Sequence, residues 1–142
     1  QKRYAPAALV SMATLTGAAS RAIGTKGIVA MQERCTEDML RCLAQASEDV
    51  QERYCLFPMW PEYDSELDSA VAELKNCGSG AAGMITAAKF VGYFARKTPF
   101  LHLDVAGVAY YGKDENAWKK GATGFGVRWM SRFLELWSGT LK

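Results

Sequence analysis

The stretch Gly78-Ser79-Gly80-Ala81-Ala82-Gly83 fits the pattern G-x-G-x-x-G and precedes an apolar segment. In a dinucleotide fold such glycines let a pyrophosphate approach a helix N-terminus, and an acid further along holds the ribose, a place Asp104 could fill. That chemistry demands a buried strand ahead of the glycines. What precedes them is Ser69-Ala70-Val71-Ala72-Glu73-Leu74-Lys75-Asn76, charged and helical in spacing. The phosphates would have no floor, and the glycines read as a structural loop. His102 and Asp104 lie on one face of an alternating segment, where a base and its orienter, or a pair of metal ligands, would stand. A hydrolytic zinc site needs three protein ligands and a water, and no second histidine exists. A strand histidine satisfied by hydrogen bonds is the expected state. Neither a G-x-S-x-G elbow nor a Cys/His nucleophile signature occurs. The segment Lys120-Gly121-Ala122-Thr123-Gly124-Phe125-Gly126 is basic enough to hold an anion and equally suits a turn that lets a helix pack closely.

Cys35, Cys42, Cys55 and Cys77 contain no Cys-x-x-Cys pair, which argues against a finger-type zinc site. The opening Gln1-Lys2-Arg3-Tyr4 has neither an initiator Met nor the apolar core of a signal peptide, so a processed or internal start is expected. The cysteines then read as buried, reduced thiols in a reducing compartment, the cytoplasm or an organelle matrix. A length of 142 residues is one domain's worth, and 49% hydrophobic with 23% charged residues is ordinary globular usage. A net charge of +2 gives no argument for nucleic acid or a membrane surface. No apolar run approaches the roughly 18 residues of a membrane span.

The elements that must hold these residues follow from local pattern. Residues 7–12 are a short apolar run, read as a buried strand, and the turn after it opens a helix that Gly24 stops. Residues 27–31 are a second strand. Thr36 caps a helix whose acids Glu37 and Asp38 suit the N-terminal dipole, with Met39, Leu43 and Val50 in one stripe beside Leu40 and Ala44. Pro58 and Pro61 make residues 55–61 an extended connection. The spacing of Leu67, Val71 and Leu74 predicts a helix over 62–75. Residues 84–95 are apolar nearly all round, as in a helix buried between layers. Residues 100–105 alternate as a strand, and 113–120 read as a polar loop. A final helix over 126–137 carries Val127, Met130, Leu134 and Trp137 in one stripe, widened by Trp129, Phe133 and Leu136. Such a width suits a face that covers the core or a partner. Strands interleaved with helices give an α/β fold.

Six strings carry a resemblance beyond this. They are Ala13-Thr14-Leu15-Thr16-Gly17-Ala18, Pro58-Met59-Trp60-Pro61-Glu62-Tyr63, Ala72-Glu73-Leu74-Lys75-Asn76, Gly83-Met84-Ile85-Thr86-Ala87-Ala88-Lys89-Phe90, His102-Leu103-Asp104-Val105-Ala106-Gly107, and Lys120-Gly121-Ala122-Thr123-Gly124-Phe125-Gly126-Val127-Arg128. In this order the chain resembles the leucyl (cytosol) aminopeptidase family of two-metal peptidases from Ala13 to Arg128. The resemblance implies a mixed sheet flanked by helices, with residues 1–142 forming the C-terminal part of the family's catalytic domain. That domain holds two divalent ions, zinc or manganese, with a lysine and several carboxylates, and uses a lysine and an arginine on the transition state. Its hallmark Asn-Thr-Asp-Ala-Glu-Gly-Arg lies upstream of the Ala-Thr-Leu-Thr-Gly string, and nothing like it precedes Ala13 here. No catalytic residue or metal ligand is therefore expected on this chain; the ions would come with the missing segment.

What the resemblance leaves is the substrate-facing wall. Thr14, Leu15 and Gly17 match positions beside the substrate amine and side chain, with the Leu15 carbonyl an acceptor. Ala106 and Ala109 match positions lining the apolar pocket for the N-terminal side chain, which the small Ala109 leaves roomy. Ser11 stands where the family often has Asp, residues 24–34 match weakly, and His102 and Asp104 match residues that are structural in this reading. Two functions compete. One is part of a metal-dependent aminopeptidase, Leu-like in preference, whose ligands come from another segment or a companion chain. The other is a non-catalytic structural subunit of a larger protein or ribonucleoprotein assembly. Both require a partner; a peptide is the substrate if the protein is active, no membrane is expected, and the family's hexamers imply an oligomer.

Overall fold

The computed structural model describes residues 3–114 and 118–140. Four strands form one mixed sheet in the order β1 (Leu9–Ala13), β4 (Phe100–Asp104), β2 (Ile28–Glu33), β3 (Tyr54–Phe57). β1 runs parallel to β4, β2 antiparallel to β4, and β3 parallel to β2. The α/β class and the mixed sheet are thus as expected. The alternation of side chains divides the core in two. Ile28, Ala30, Leu101 and Leu103 pack beneath α2 (Glu37–Val50) and α4 (Val127–Ser138). Val29 and Met31 pack on the opposite face with α1 (Gly17–Ile23) and α3 (Gly83–Tyr93). A short hairpin, β5 (Tyr110–Tyr111) with β6 (Gly121–Ala122), leads into α4.

The caps act as their residue types suggest. The Thr16 hydroxyl accepts the Ala19 N–H to start α1, and Gly24, at φ 61° and ψ −140°, ends it in a conformation that excludes a side chain. Thr36 accepts the Met39 N–H to start α2, with Glu37 and Asp38 in its first turn. The face that α2 buries centres on Met39, Cys42, Leu43, Ala46 and Ser47.

Four expectations need correction. Residues 62–75 are not an α-helix: a 3-10 turn covers Pro61–Leu67, bends follow, and Val71 is 96% exposed. The buried side of α4 is Trp129 and Phe133, while Val127 and Leu134 stand in solvent. α3 is not covered all round, since Tyr93 is half exposed and Phe94 beyond it is exposed. The cysteines are all free thiols, but only Cys42 is buried; Cys55 and Cys77 are exposed. The extended connection begins with β3, and of the loop expected over 113–120, residues 115–117 lie outside the described residues. Among the described residues no helix is long and apolar enough to cross a membrane.

Candidate functional site

β1 and β4 are parallel neighbours, so their C-terminal ends open side by side, the position where open α/β sheets bind ligands. The segment after β1 carries Thr14, Leu15 and Gly17, all exposed; the turn after β4 carries Ala106 and Ala109, both half-buried. One side chain joins the two. Asp104, the last residue of β4 and 1% exposed, accepts the Leu15 N–H (3.2 Å) and the Ala106 N–H (3.1 Å) on Oδ1. Its Oδ2 accepts the Thr16 hydroxyl at 2.7 Å. Leu15 and Asp104 are 89 residues apart in sequence, which is why spacing alone could not reveal the link. The signal that was present is chemical: a carboxyl on an otherwise apolar strand must find donors when buried.

Ala109 lies further along the same turn, with its N–H on the Val105 carbonyl (2.9 Å) and its carbonyl taking the Thr123 N–H (3.0 Å). Leu15, Thr16, Gly17 and Arg21 line a cleft of about 340 Å³ whose other side is Cys77 and the glycines Gly78, Gly80 and Gly83. Ala106 and Ala109 do not line that cleft. A larger cleft, about 550 Å³, lies away from all five residues and is charged: Lys89 pairs there with Asp64 (2.8 Å) and Glu33 (3.3 Å).

The tempting motifs resolve into structure. No strand leads directly into Gly78–Gly83, which follow bends after the 3-10 turn, so a dinucleotide lacks its floor. These glycines serve packing instead: a Cβ on Gly83 would stand 3.3 Å from the Ala18 Cβ, at the contact of α3 with α1. The glycine-rich turn before α4 does hold an anion, and it is the protein's own. Glu52, 1% exposed, accepts the N–H of Gly126 (2.9 Å) and of Trp129 (3.3 Å), and pairs with Arg128 at 3.1 Å. His102 is fully buried with Nδ1 3.2 Å from the Ser11 hydroxyl. Burial lowers its pKa below the usual value, and the Asp104 charge only partly opposes that. Burial likewise pushes the Cys35 thiol up to about 11, which leaves it a poor nucleophile.

Among the described residues no group of three or more His, Cys, Asp or Glu side chains could hold a metal ion. The residues present therefore do not fit a dinuclear metal centre. What the arrangement shows is two short loops at the ends of parallel strands, held together by the buried Asp104 carboxylate, with Arg21 on the rim of the adjoining cleft.

The sequence profile of the cytosol aminopeptidase family, catalytic domain, matches residues 1–131. A probable cytosol aminopeptidase of Syntrophotalea carbinolica is 38% identical over 133 residues, covering 94% of this chain and 26% of the relative. One of Geobacter sulfurreducens is 40% identical over 134 residues, covering 94% and 27%. Among solved structures, a tomato leucine aminopeptidase mutant aligns with TM-score 0.77 and 36% identity over 88% of this chain and 24% of its own. A bottromycin maturation enzyme solved with manganese aligns with TM-score 0.85 and 33% identity, over 96% and 30%. The chain spans about a quarter of the length of the curated relatives it matches. With the family profile matched over residues 1–131, the chain belongs to the cytosol aminopeptidase family.

Proposed function

We propose that the chain is one part of an aminopeptidase catalytic domain that removes N-terminal residues, Leu-like by preference, from peptides. Residues 1–142 form a single partial domain whose share is the substrate wall. Thr14, Leu15 and Gly17 lie beside the substrate's amine and side chain, with the Leu15 carbonyl as hydrogen-bond acceptor, and Ala106 and Ala109 line the apolar pocket. The two divalent ions and their ligands come from a segment or companion chain outside these 142 residues, and the working enzyme is a larger, soluble assembly.

One observation supports this reading above the others. Leu15 and Ala106 belong to separate strings of the family pattern, and both donate to the same Asp104 oxygen at the open end of two parallel strands. Thr14, Leu15, Gly17, Ala106 and Ala109 carry no ionisable side chain, so the division of labour is testable. The 142-residue chain, purified alone with added zinc or manganese, is expected to show no turnover of leucinamide. The native protein that carries this chain is expected to cleave it in a chelator-sensitive way. Turnover by the pure chain overturns the division of labour, and absence of turnover by the native protein overturns the aminopeptidase reading.

A further inference from the structure

A carboxylate almost without solvent contact is costly unless several donors face it, and packing alone could be served by an apolar side chain of similar volume. Asp104 has three donors, and they come from both candidate walls: Leu15 and Ala106 on Oδ1, Thr16 on Oδ2. The Thr16 oxygen also accepts the Ala19 N–H at 3.0 Å, so the start of α1 is tied into the same set. The Leu15 carbonyl belongs to the peptide plane between Leu15 and Thr16. Asp104 grips the chain on each side of that plane, by the Leu15 N–H before it and the Thr16 hydroxyl after it. Anchored on both sides, that rigid plane has less freedom to turn, and its carbonyl direction is restricted accordingly.

We propose that Asp104 is a positioning residue of the substrate pocket. It aims the Leu15 carbonyl and fixes the separation of the 14–17 wall from the 106–109 wall, and thereby the fit of the substrate's N-terminal side chain. This rests on the aminopeptidase reading. Asp104 acts through Leu15, Thr16 and Ala106 and does not itself meet the substrate. An error of an ångström in such a wall is enough to weaken binding severely.

Asp104→Asn tests it while keeping the shape. The amide oxygen still serves Leu15 and Ala106, but the amide nitrogen faces Thr16, whose proton loses its acceptor. Thr16→Ala removes the same contact from the other side, and Thr16→Ser restores it. In the native, complete protein, D104N and T16A are expected to raise KM for leucinamide about tenfold, the scale on which small changes in an apolar pocket act. kcat should change much less, and the preference for leucinamide over alaninamide should shrink, with T16S close to wild type. In the chain itself, D104N should speed exchange of the Leu15 and Ala106 amides about tenfold relative to amides of β2, because a neutral amide oxygen holds those N–H groups more weakly than the carboxylate does, a local opening measured by NMR.

Unchanged exchange overturns the proposal, as does faster exchange with KM and preference intact, or a loss confined to kcat. A wild-type protein without turnover of leucinamide overturns the aminopeptidase reading instead. The exchange measurement then still decides whether Asp104 sets the two loops.

Discussion

The His102 ring lies wholly inside the protein, Nδ1 beside the Ser11 hydroxyl at 3.2 Å and Nε2 without a partner among the described residues. Burial disfavours its charged form and lowers its pKa, and the nearby Asp104 charge recovers only part of that. In the unfolded chain the same ring titrates near its ordinary value, about 6.5. Above that pH neither state holds the proton, so His102 imposes no penalty. Below it the unfolded chain takes up the proton first, and stability falls with pH until the folded value is reached, by at most about 1.4 kcal/mol per pH unit. Urea titrations between pH 7 and 5 should show this slope, and His102→Asn, which can keep the Ser11 contact, should flatten it. An identical slope in both proteins would assign the effect to other groups. At this scale the sequence made the residue types visible but not their partners. His102 and Asp104 read correctly as one face of a strand, whereas the Ser11 hydroxyl beside His102 and the Leu15 N–H on Asp104 lie 91 and 89 positions away, beyond any local pattern.

Elements were legible where one local rule dominated, and misread where two competed. Thr36 with Glu37 and Asp38 announced α2, and Gly24 announced the end of α1. Over 62–75 the helical spacing of Leu67, Val71 and Leu74 lost to turn chemistry. The Ser69 hydroxyl takes the N–H of Val71 (3.3 Å) and of Ala72 (3.2 Å), and the Lys75 N–H reaches back to the Leu67 carbonyl. Those donors are diverted from a helical ladder. In α4 the stripe was displaced because the largest side chains took the core. The Trp129 indole donates to the Leu43 carbonyl at 2.9 Å and its ring meets Tyr54, so that face turns inward. Glu52 sets the position of the whole helix. Glu52→Ala strips acceptors from the buried N–H groups of Gly126 and Trp129 and should cost about 2 to 4 kcal/mol, seen as a lower urea midpoint at constant m. Both of those bonds end on Oε2, so Glu52→Gln can keep them and should cost about half as much. Equal losses would mean that the Arg128 pair, not the helix start, carries the effect. The joint between α1 and the turn after β4 is tighter still. A Cβ at Gly107 would lie 2.2 Å from the Gly24 carbonyl oxygen, a backbone atom that cannot swing aside. Gly107→Ala should therefore destabilise by about 2 kcal/mol or more, on the scale of a badly overpacked site. A melting temperature within a degree of wild type would refute it.

At the scale of the molecule the sheet has two open ends. Among the described residues β1 and β3 are the end strands, β1 bonded to β4 alone and β3 to β2 alone. The Leu9 N–H goes to Pro99 and the Ala13 carbonyl takes the Val105 N–H, so by alternation Val10 and Met12 turn their peptide groups away from β4. These two residues are 40% and 38% exposed, and no residue of the strand is charged or proline. Edges meant for solvent are blunted by lysine, proline or a bulge, and this one has none of them. On the proposed reading, in which a further segment completes the domain, the open edge of β1 is a place where a strand of that segment would add. No local signal marks β1 as an end strand, because an apolar pentapeptide reads the same whether its strand is central or terminal. The Val10 and Met12 amides should exchange rapidly in the chain alone and about a hundredfold more slowly in the native assembly, a change that ladder formation readily produces. On the same reading, Val10→Lys should weaken binding of the chain to that further segment. Slow exchange at both positions in the isolated, monomeric chain would show the edge already satisfied, and the companion strand would then have to dock elsewhere.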